Sequence, residues 1–125
     1  HFYGDCFEDN KTSELIYHSD LCVSPGNIGL TAIHSLSYGT PVASHNNFNN
    51  QMPEVEAIID GENGFLFEEN NSNDLANKID NWFLNNSNLD KDLIRKIIID
   101  KYNPKYQMRI FTDTIIKLRD SISKL

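Results

Sequence analysis

The sequence has little of what marks disulfide-stabilised, membrane-spanning and nucleic-acid-binding proteins. It contains only two cysteines, Cys6 and Cys22, outside any C-x-x-C or zinc-type spacing, so we interpret both as free thiols of a reducing compartment. Its apolar runs, such as residues 97–99, are far too short to cross a bilayer. Basic residues number only 11 against 18 acidic ones, and the resulting net charge of −7 argues against nucleic acid as a partner.

What remains is the composition of an ordinary globular domain. Hydrophobic residues make up 39% of the 125 residues and charged residues 23%. A chain of this length buries roughly two-thirds of its unfolded surface on folding, which is enough for a core. No basic leader followed by an apolar stretch is found at the start, so we expect a cytoplasmic protein. The chain begins with His1 rather than Met, and we expect it to start inside a larger protein.

Strand-like and helix-like segments alternate along the first half of the chain. Short apolar runs predict strands, and apolar residues at helical spacing predict helices. This order predicts an α/β fold with a Rossmann-like parallel sheet flanked by helices, followed by a helical C-terminal segment. We expect residues 1–84 to form the sheet-bearing part and residues 85–125 the helical part. The predicted strands are residues 1–3, 21–24, 41–44, 57–59 and 65–67, and the predicted helices are residues 10–18, 28–38, 72–84, 89–102 and 104–123.

The helix predicted over residues 72–84 indicates how these elements should pack. Ser72 is a favourable N-cap, and Asp74 lies in the first turn, where a negative charge is stabilising. Ile79, Trp82 and Phe83 share one side of this helix, so we expect all three side chains in the core.

The most informative stretch joins a predicted strand to a predicted helix. It reads Ser24-Pro25-Gly26-Asn27-Ile28-Gly29-Leu30-Thr31, and its two glycines permit a tight turn. The N–H groups of Gly29, Leu30 and Thr31 have no partner inside the predicted helix, and the helix dipole lies behind them, so they suit a phosphate or diphosphate. A glycine in such a turn also serves helix packing, and on spacing alone a purely structural role stays open.

Three motifs in order resemble one enzyme family. Residues 26–42 are similar to the donor-binding segment of retaining GT-B glycosyltransferases of the family 4, or glycosyl transferases group 1, type. Met52-Pro53-Glu54 resembles the Gly-x-Pro-Glu turn of that family, and residues 60–67 resemble its glycine-flanked hairpin. The helix that begins near Ser72 also fits, so the resemblance covers most of residues 1–84.

The resemblance implies an incomplete C-terminal half of a GT-B fold. Such enzymes have two Rossmann-like domains that face each other, and the final helix crosses back to the N-terminal domain, which we expect as a partner outside this chain. The family moves a sugar from a nucleotide-sugar donor, here expected to be UDP- or GDP-linked, to a glycan or lipid-linked acceptor. It needs no metal, and we expect no other cofactor. The basic residues that contact the diphosphate, and with them the catalytic groups, are expected upstream of His1.

The resemblance also assigns donor-binding residues, with two departures. The two glutamates of the family pattern are replaced by Gly26 and His34. Gly26 offers only backbone groups, so Asn27 or a water molecule would have to take over part of the contact. A neutral His34 can accept one hydrogen bond and donate one, which leaves contact with the ribose feasible. The candidate donor-binding residues are Gly26, Asn27, Ile28, Gly29, Leu30, Thr31, His34 and Glu54.

Several of these side chains also have an ordinary structural interpretation. His34 is either a ribose contact or a histidine at the edge of the core. Thr31 either bonds a phosphate oxygen or caps its helix, and Glu54 either contacts the donor or is a first-turn residue after Pro53. His45 follows a predicted strand and either contacts the donor or acceptor or is a solvated loop histidine, and we favour the second interpretation. The polar loop after it, residues 47–51, is interpreted as flexible but lies where a donor could be contacted.

The replaced glutamates leave three functions to distinguish. The first is an active transferase with a changed donor pocket, acting in surface-polysaccharide assembly, with the full-length protein bound peripherally at the inner face of the cytoplasmic membrane. The second is a non-catalytic GT-B-like interaction module, and the third is a GT-B-type nucleotide-sugar epimerase. Taken alone, the chain should be inactive, and the unpaired edge of its sheet should favour self-association.

Overall fold

A computed structural model describes residues 2–86 and 88–123 of this chain. Within these residues the chain forms five α-helices and three β-strands, and helices alone follow the last strand. Two short 3₁₀ turns, Phe48–Asn50 and Pro53–Ala57, follow the second strand. The strands are β1 (Cys22–Ser24), β2 (Val42–His45) and β3 (Gly64–Phe67), and the helices are α1 (Asp9–Tyr17), α2 (Thr31–Ser37), α3 (Ser72–Asn85), α4 (Lys91–Tyr102) and α5 (Pro104–Ile122).

The three strands form one parallel sheet in the order β1-β2-β3. Ala43 in the central strand is opposite Val23 on one side and Phe65 on the other. All four residues of β2 are buried, as expected for a central parallel strand with helices on both faces. The predicted α/β fold with a parallel sheet flanked by helices is confirmed.

Two apolar clusters pack on the two faces of this sheet. On one face, Val42 packs with Ile28 and Leu36 and with Ile94 and Ile98 of α4. On the other face, Ala43 and the two buried phenylalanines of β3 pack with Trp82 of α3, and the ring centroids of Trp82 and Phe65 are 5.7 Å apart. Helices therefore cover both faces of the sheet.

Two glycines permit close approaches that no other residue would allow. A Cβ built on Gly64 would lie 1.9 Å from the carbonyl oxygen of Val42, the neighbouring residue in the sheet. Gly39 has a φ of +74° at the end of α2, and a Cβ there would lie 2.4 Å from the carbonyl oxygen of Lys91. These contacts bring β3 against β2 and the start of α4 against the end of α2.

Several local predictions were wrong. Phe2 and Tyr3 form no strand, and His1 lies outside the described residues. Of the strand predicted over residues 57–59, the first residue ends the 3₁₀ turn Pro53–Ala57 and the other two form no strand, and Asp60 after them makes an isolated bridge to Gly64. Turn residues and Pro53 outweigh the short apolar run there.

The predicted helices exist, with corrections at their caps and faces. The N-cap of α3 is Asn71, whose Oδ1 accepts from the N–H of Asp74 at 2.9 Å, and Ser72 is the first helical residue. Trp82 is buried as expected, whereas Phe83 is 46% exposed and does not belong to the core. Phe83 follows Trp82 by one residue, which turns its side chain by about 100° around the helix.

The helical C-terminal part is divided in its packing. Helix α4 packs on α2, whereas α5 contacts α4 and buries none of its residues. The boundary at residue 85 and the crossing of the last helix to another domain stay predictions, and Lys124 and Leu125 lie outside the described residues. In the two stretches that the structure describes, no helix combines the length and the apolar character needed to span a bilayer.

Candidate functional site

The loops that follow the three strands enclose an open groove of about 540 Å³. It lies at the carboxyl ends of the strands, the edge at which open parallel sheets bind ligands. Its surface is strongly polar and consists of side-chain amides, one imidazole and one carboxylate together with Pro25 and Gly26. The lining residues are Pro25, Gly26, Asn27, His45, Asn49, Asn50, Gln51, Glu69 and Asn70.

The turn after β1 differs from the prediction in where its helix begins. Helix α2 starts at Thr31, three residues later than the predicted position 28, and Leu30 is its N-cap. The N–H of Ile28 donates to Gln51 Oε1 at 2.8 Å instead of starting the helix. The N–H groups of Gly29, Leu30 and Thr31 have no acceptor among the described residues. Among the described residues, three backbone donors at this turn are thus left without a protein acceptor, outside the lining of the groove.

Gln51 holds the loop after β2 against the turn after β1. Its Nε2 donates to Ser44 Oγ and to the carbonyl oxygen of His45, each at 2.9 Å, while its Oε1 accepts from Ile28. Ser44 Oγ in turn donates to the carbonyl oxygen of Ser24 at 3.2 Å. This one side chain fixes the spacing of the two loops and so the shape of the groove, a role that its place in a polar loop near the expected donor does not reveal.

His45 is not the solvated loop histidine that the sequence predicted. It is the last residue of β2 and only 1% exposed. Its Nδ1 accepts from the N–H of Asn47 at 3.3 Å, which leaves Nε2 as the ring nitrogen that can donate. Nε2 lies 3.8 Å from Glu69 Oε1, beyond hydrogen-bond distance.

Glu69 contributes the carboxylate of the groove and was not predicted from the sequence. Its Oε2 accepts from Asn47 Nδ2 at 2.6 Å, and its Oε1 accepts from Asn50 Nδ2 at 2.9 Å. The hydrogen bond from Asn47, followed by the one from Asn50, lowers the pKa of Glu69 below its ordinary value. Asn70, the next residue, has a φ of +61°, which turns the chain away toward α3.

The groove is electrostatically unusual for a phosphate site. Among its lining residues Glu69 is the one acidic side chain, and there is no lysine or arginine. A diphosphate in this region would therefore rely on backbone N–H groups and on cations from outside this chain. Over residues 2–86 and 88–123, no group of three or more His, Cys, Asp or Glu side chains is arranged to hold a metal ion.

Among the predicted residues of the turn, Gly29, Leu30 and Thr31 do not line the groove. Gly29 faces Met52, since a Cβ built on it would lie 3.8 Å from Met52 Cγ, and Leu30 and Thr31 are exposed. Gly26 and Asn27 line the groove, and the buried side chain of Ile28 belongs to the core rather than to the groove.

His34 and Glu54, the two predicted side chains with titratable groups, are not brought together. His34 is exposed and, with Thr12 and Tyr38, lines a separate cleft of about 320 Å³ against α1. It is therefore not a histidine at the edge of the core. Glu54 lies in the 3₁₀ turn on the side of Tyr102, whose pKa is raised by burial and further by the charges of Glu56 and Glu54.

Comparison with known proteins bears on the family and the fold of this chain. The family model described as Glycosyl transferases group 1 matches residues 1–99. Among solved structures, the chain is similar to sucrose-phosphate synthase from Thermosynechococcus elongatus, with a TM-score of 0.64 and 22% sequence identity. That match covers 91% of this chain and 29% of the synthase, and at this identity it bears on the fold alone. The comparison with curated proteins returns no match.

Proposed function

Because the chain belongs to the glycosyl transferases group 1 family, we propose that it forms the donor-binding part of a retaining, metal-independent glycosyltransferase of the family 4 type. Its fold is that of a GT-B glycosyltransferase fragment. The donor is a UDP- or GDP-linked sugar, and the acceptor is a glycan or a lipid-linked glycan. The observation that carries this proposal is the open polar groove beside Gly26 and Asn27, at the edge of the sheet where such folds bind ligands.

The proposed reaction needs little covalent chemistry from this part of the protein. The bond between sugar and phosphate breaks through an oxocarbenium-like state, and negative charge builds on the departing nucleoside diphosphate. The N–H groups of Gly29, Leu30 and Thr31, which have no acceptor among the described residues, are the donors that would stabilise this charge. The basic groups that complete the charge balance are proposed to lie upstream of this chain.

The pocket differs from the family pattern at the two positions of the replaced glutamates. No side chain stands at Gly26, and a Cβ built there would meet nothing within 4 Å, so a ligand can approach the backbone closely. Asn27, the next residue, supplies a side-chain amide to the same groove. His34 is proposed as the ribose contact, reached along the exposed face of α2, and Glu54 as a contact from the turn after Met52.

One observation favours a second candidate, a non-catalytic GT-B-like interaction module. His34 lines a cleft against α1 that is separate from the groove, so the ribose and sugar contacts are not brought together by this chain alone. A third candidate, a nucleotide-sugar epimerase, would use the same donor site and release a free sugar product.

The proposal extends to the setting of the whole protein. An N-terminal domain outside this chain would supply acceptor contacts, and the full-length enzyme would act in surface-polysaccharide assembly in the cytoplasm, peripherally at the inner face of the membrane. The isolated chain would associate with itself through β1, whose residue Val23 is partly exposed. Light scattering over a wide concentration range tests this last point, and a constant monomer mass would contradict it.

Nucleotide binding tests the proposed function directly. The full-length protein should melt at a higher temperature with UDP or GDP, because a ligand that binds only the folded state stabilises it. No shift with any nucleoside diphosphate would overturn the proposal. If His34 holds the ribose, His34→Ala should weaken nucleotide binding by about 1 kcal/mol. His18→Ala, which removes an exposed histidine that lines neither cleft, is the matched control.

Product analysis separates the three candidates. Transfer of label from a nucleotide sugar to an acceptor supports the transferase, and release of a free epimerised sugar supports the epimerase. Nucleotide binding without turnover of any donor, in protein that includes the upstream domain, supports the non-catalytic module.

A further inference from the structure

Resting on the proposed function, we infer that Glu69 and His45 bind hydroxyl groups of the donor sugar and thereby determine which sugar is accepted. This assigns the groove to the sugar rather than to the diphosphate. Glu69 acts here as a specificity-determining residue, and the buried imidazole of His45 acts beside it.

The composition of the groove favours a sugar over a phosphate. A carboxylate accepts hydrogen bonds and repels phosphate, whereas a sugar hydroxyl donates to it well. The other lining groups are mostly side-chain amides, each with a donor end and an acceptor end, as in Asn27 and Asn49. A surface with one carboxylate, several amides and no lysine or arginine therefore matches a polyhydroxyl ligand better than an anion.

Glu69 is held in place and can still accept further hydrogen bonds. An ionised carboxylate offers about four lone-pair positions. Asn47 and Asn50 reach it from the loop after β2 and fix both oxygens without filling all of those positions. The carboxylate is thus oriented before a ligand arrives, so little side-chain entropy is lost when a hydroxyl binds.

The gap between the side chains of His45 and Glu69 suits a hydroxyl group. Nδ1 of His45 is occupied by the N–H of Asn47, so the Nε2 proton remains for another partner. Nε2 and Glu69 Oε1 are 3.8 Å apart and make no direct hydrogen bond. A hydroxyl group both donates and accepts, and one placed at this gap can accept from Nε2 and donate to Oε1. Since His45 is 1% exposed, its ring is fixed by the fold rather than by the ligand.

Space for the sugar ring is present at the glycine of the turn. Gly26 lines the same groove as Glu69, and the site of its missing Cβ is open to at least 4 Å. The sugar can therefore lie against the backbone on one side and against the carboxylate on the other.

The test compares nucleotide sugars with their nucleoside diphosphates by calorimetry on the full-length protein. The probes are UDP-glucose, UDP-galactose, UDP-N-acetylglucosamine and GDP-mannose, each measured against UDP or GDP. In the wild type, the preferred nucleotide sugar should bind more tightly than its diphosphate. Glu69→Gln should lose about tenfold of that sugar-dependent gain, because a hydrogen bond to a charged group is lost. Its affinity for the diphosphate alone should not fall.

Analogues that lack single sugar hydroxyls identify the contact. Removal of the hydroxyl that Glu69 binds should cost the wild type about tenfold in affinity and should cost Glu69→Gln almost nothing. Glu69→Asp, which keeps the charge and shortens the reach, should show an intermediate loss. Glu62→Gln makes the same change of charge at an exposed turn at the opposite end of β3 and should behave as the wild type.

The outcomes separate this inference from the proposed function. If diphosphates bind and the sugar adds nothing, or if Glu69→Gln keeps the whole sugar-dependent gain, the inference is wrong and the proposed function stands. If neither diphosphates nor nucleotide sugars bind, the proposed function is wrong and the inference falls with it.

Discussion

The sheet region buries apolar side chains, whereas the final helix α5 leaves them exposed. In the sheet region, all four residues of β2 are buried, and α4 adds Ile94 and Ile98 to the same core. Helix α5 also has apolar residues at helical spacing, as α4 does, yet it buries no residue. Its Phe111 and Ile115 are 64% and 50% exposed. Helical periodicity therefore predicts which side of a helix is apolar, but not whether this chain covers that side.

This difference predicts where the free energy of unfolding resides. Substitutions in the sheet and in α4 should cost much, because they act on close-packed groups. Equivalent substitutions in α5 should cost little in this chain.

Gly64→Ala should destabilise the fold most. The added methyl group would lie 1.9 Å from the carbonyl oxygen of Val42, and backbone at the centre of a sheet cannot move away without breaking pairing. We expect a loss of about 3 kcal/mol or more in the free energy of unfolding, measured by urea denaturation. Gly26→Ala is the matched control: its methyl group meets nothing within 4 Å, and the change should stay within about 0.5 kcal/mol. Equal losses in the two variants would contradict the described pairing of β2 and β3.

A pair of isoleucines compares the two regions with the same change of side chain. Ile98→Ala in α4 removes a side chain that is 2% exposed and should cost about 3 kcal/mol through lost burial and a cavity. Ile115→Ala in α5 should cost about 0.5 kcal/mol, because that side chain is half exposed. Chemical denaturation of both variants measures the difference. A large loss for Ile115→Ala would mean that α5 belongs to the cooperative core.

Gln51→Ala tests the link between the loops of the groove. The variant leaves the N–H of Ile28 without its acceptor and removes the two hydrogen bonds donated by Gln51. We expect a loss of about 2 kcal/mol in the free energy of unfolding and faster hydrogen exchange at the Ile28 amide. Asn49→Ala removes a side-chain amide from the same loop and should change neither quantity. Unchanged exchange at Ile28 in Gln51→Ala would show that another group holds this turn.

The sequence predicts the scaffold of the site better than the site itself. Strand–helix alternation and the apolar run at residues 41–44 were sufficient for the parallel sheet and for the edge that forms the groove. The start of α2 was misplaced because the N–H of Ile28 bonds to Gln51, 23 positions away in the sequence. The burial of His45 and the position of Glu69 likewise depend on which loops meet in space. Residues near in space but far apart in sequence leave no periodic signal in a single chain.

The smallest expected effect concerns the carboxylate of the groove. Asn47 and Asn50 donate to the charged form of Glu69, so its pKa in the folded protein should lie below the ordinary value of 4.5. Because the pKa of Glu69 is lower in the folded state, Glu69 stabilises the fold above pH 4.5, and this stabilisation is lost as the pH falls through the folded pKa. A carboxyl-carbon NMR titration measures this pKa directly. Asn47→Ala should move it upward, toward 4.5, while Asn49→Ala should leave it in place. If the titration midpoint does not move in Asn47→Ala, the loop after β2 does not hold Glu69, and the sheet region loses the preorganised polar network that distinguishes it from α5.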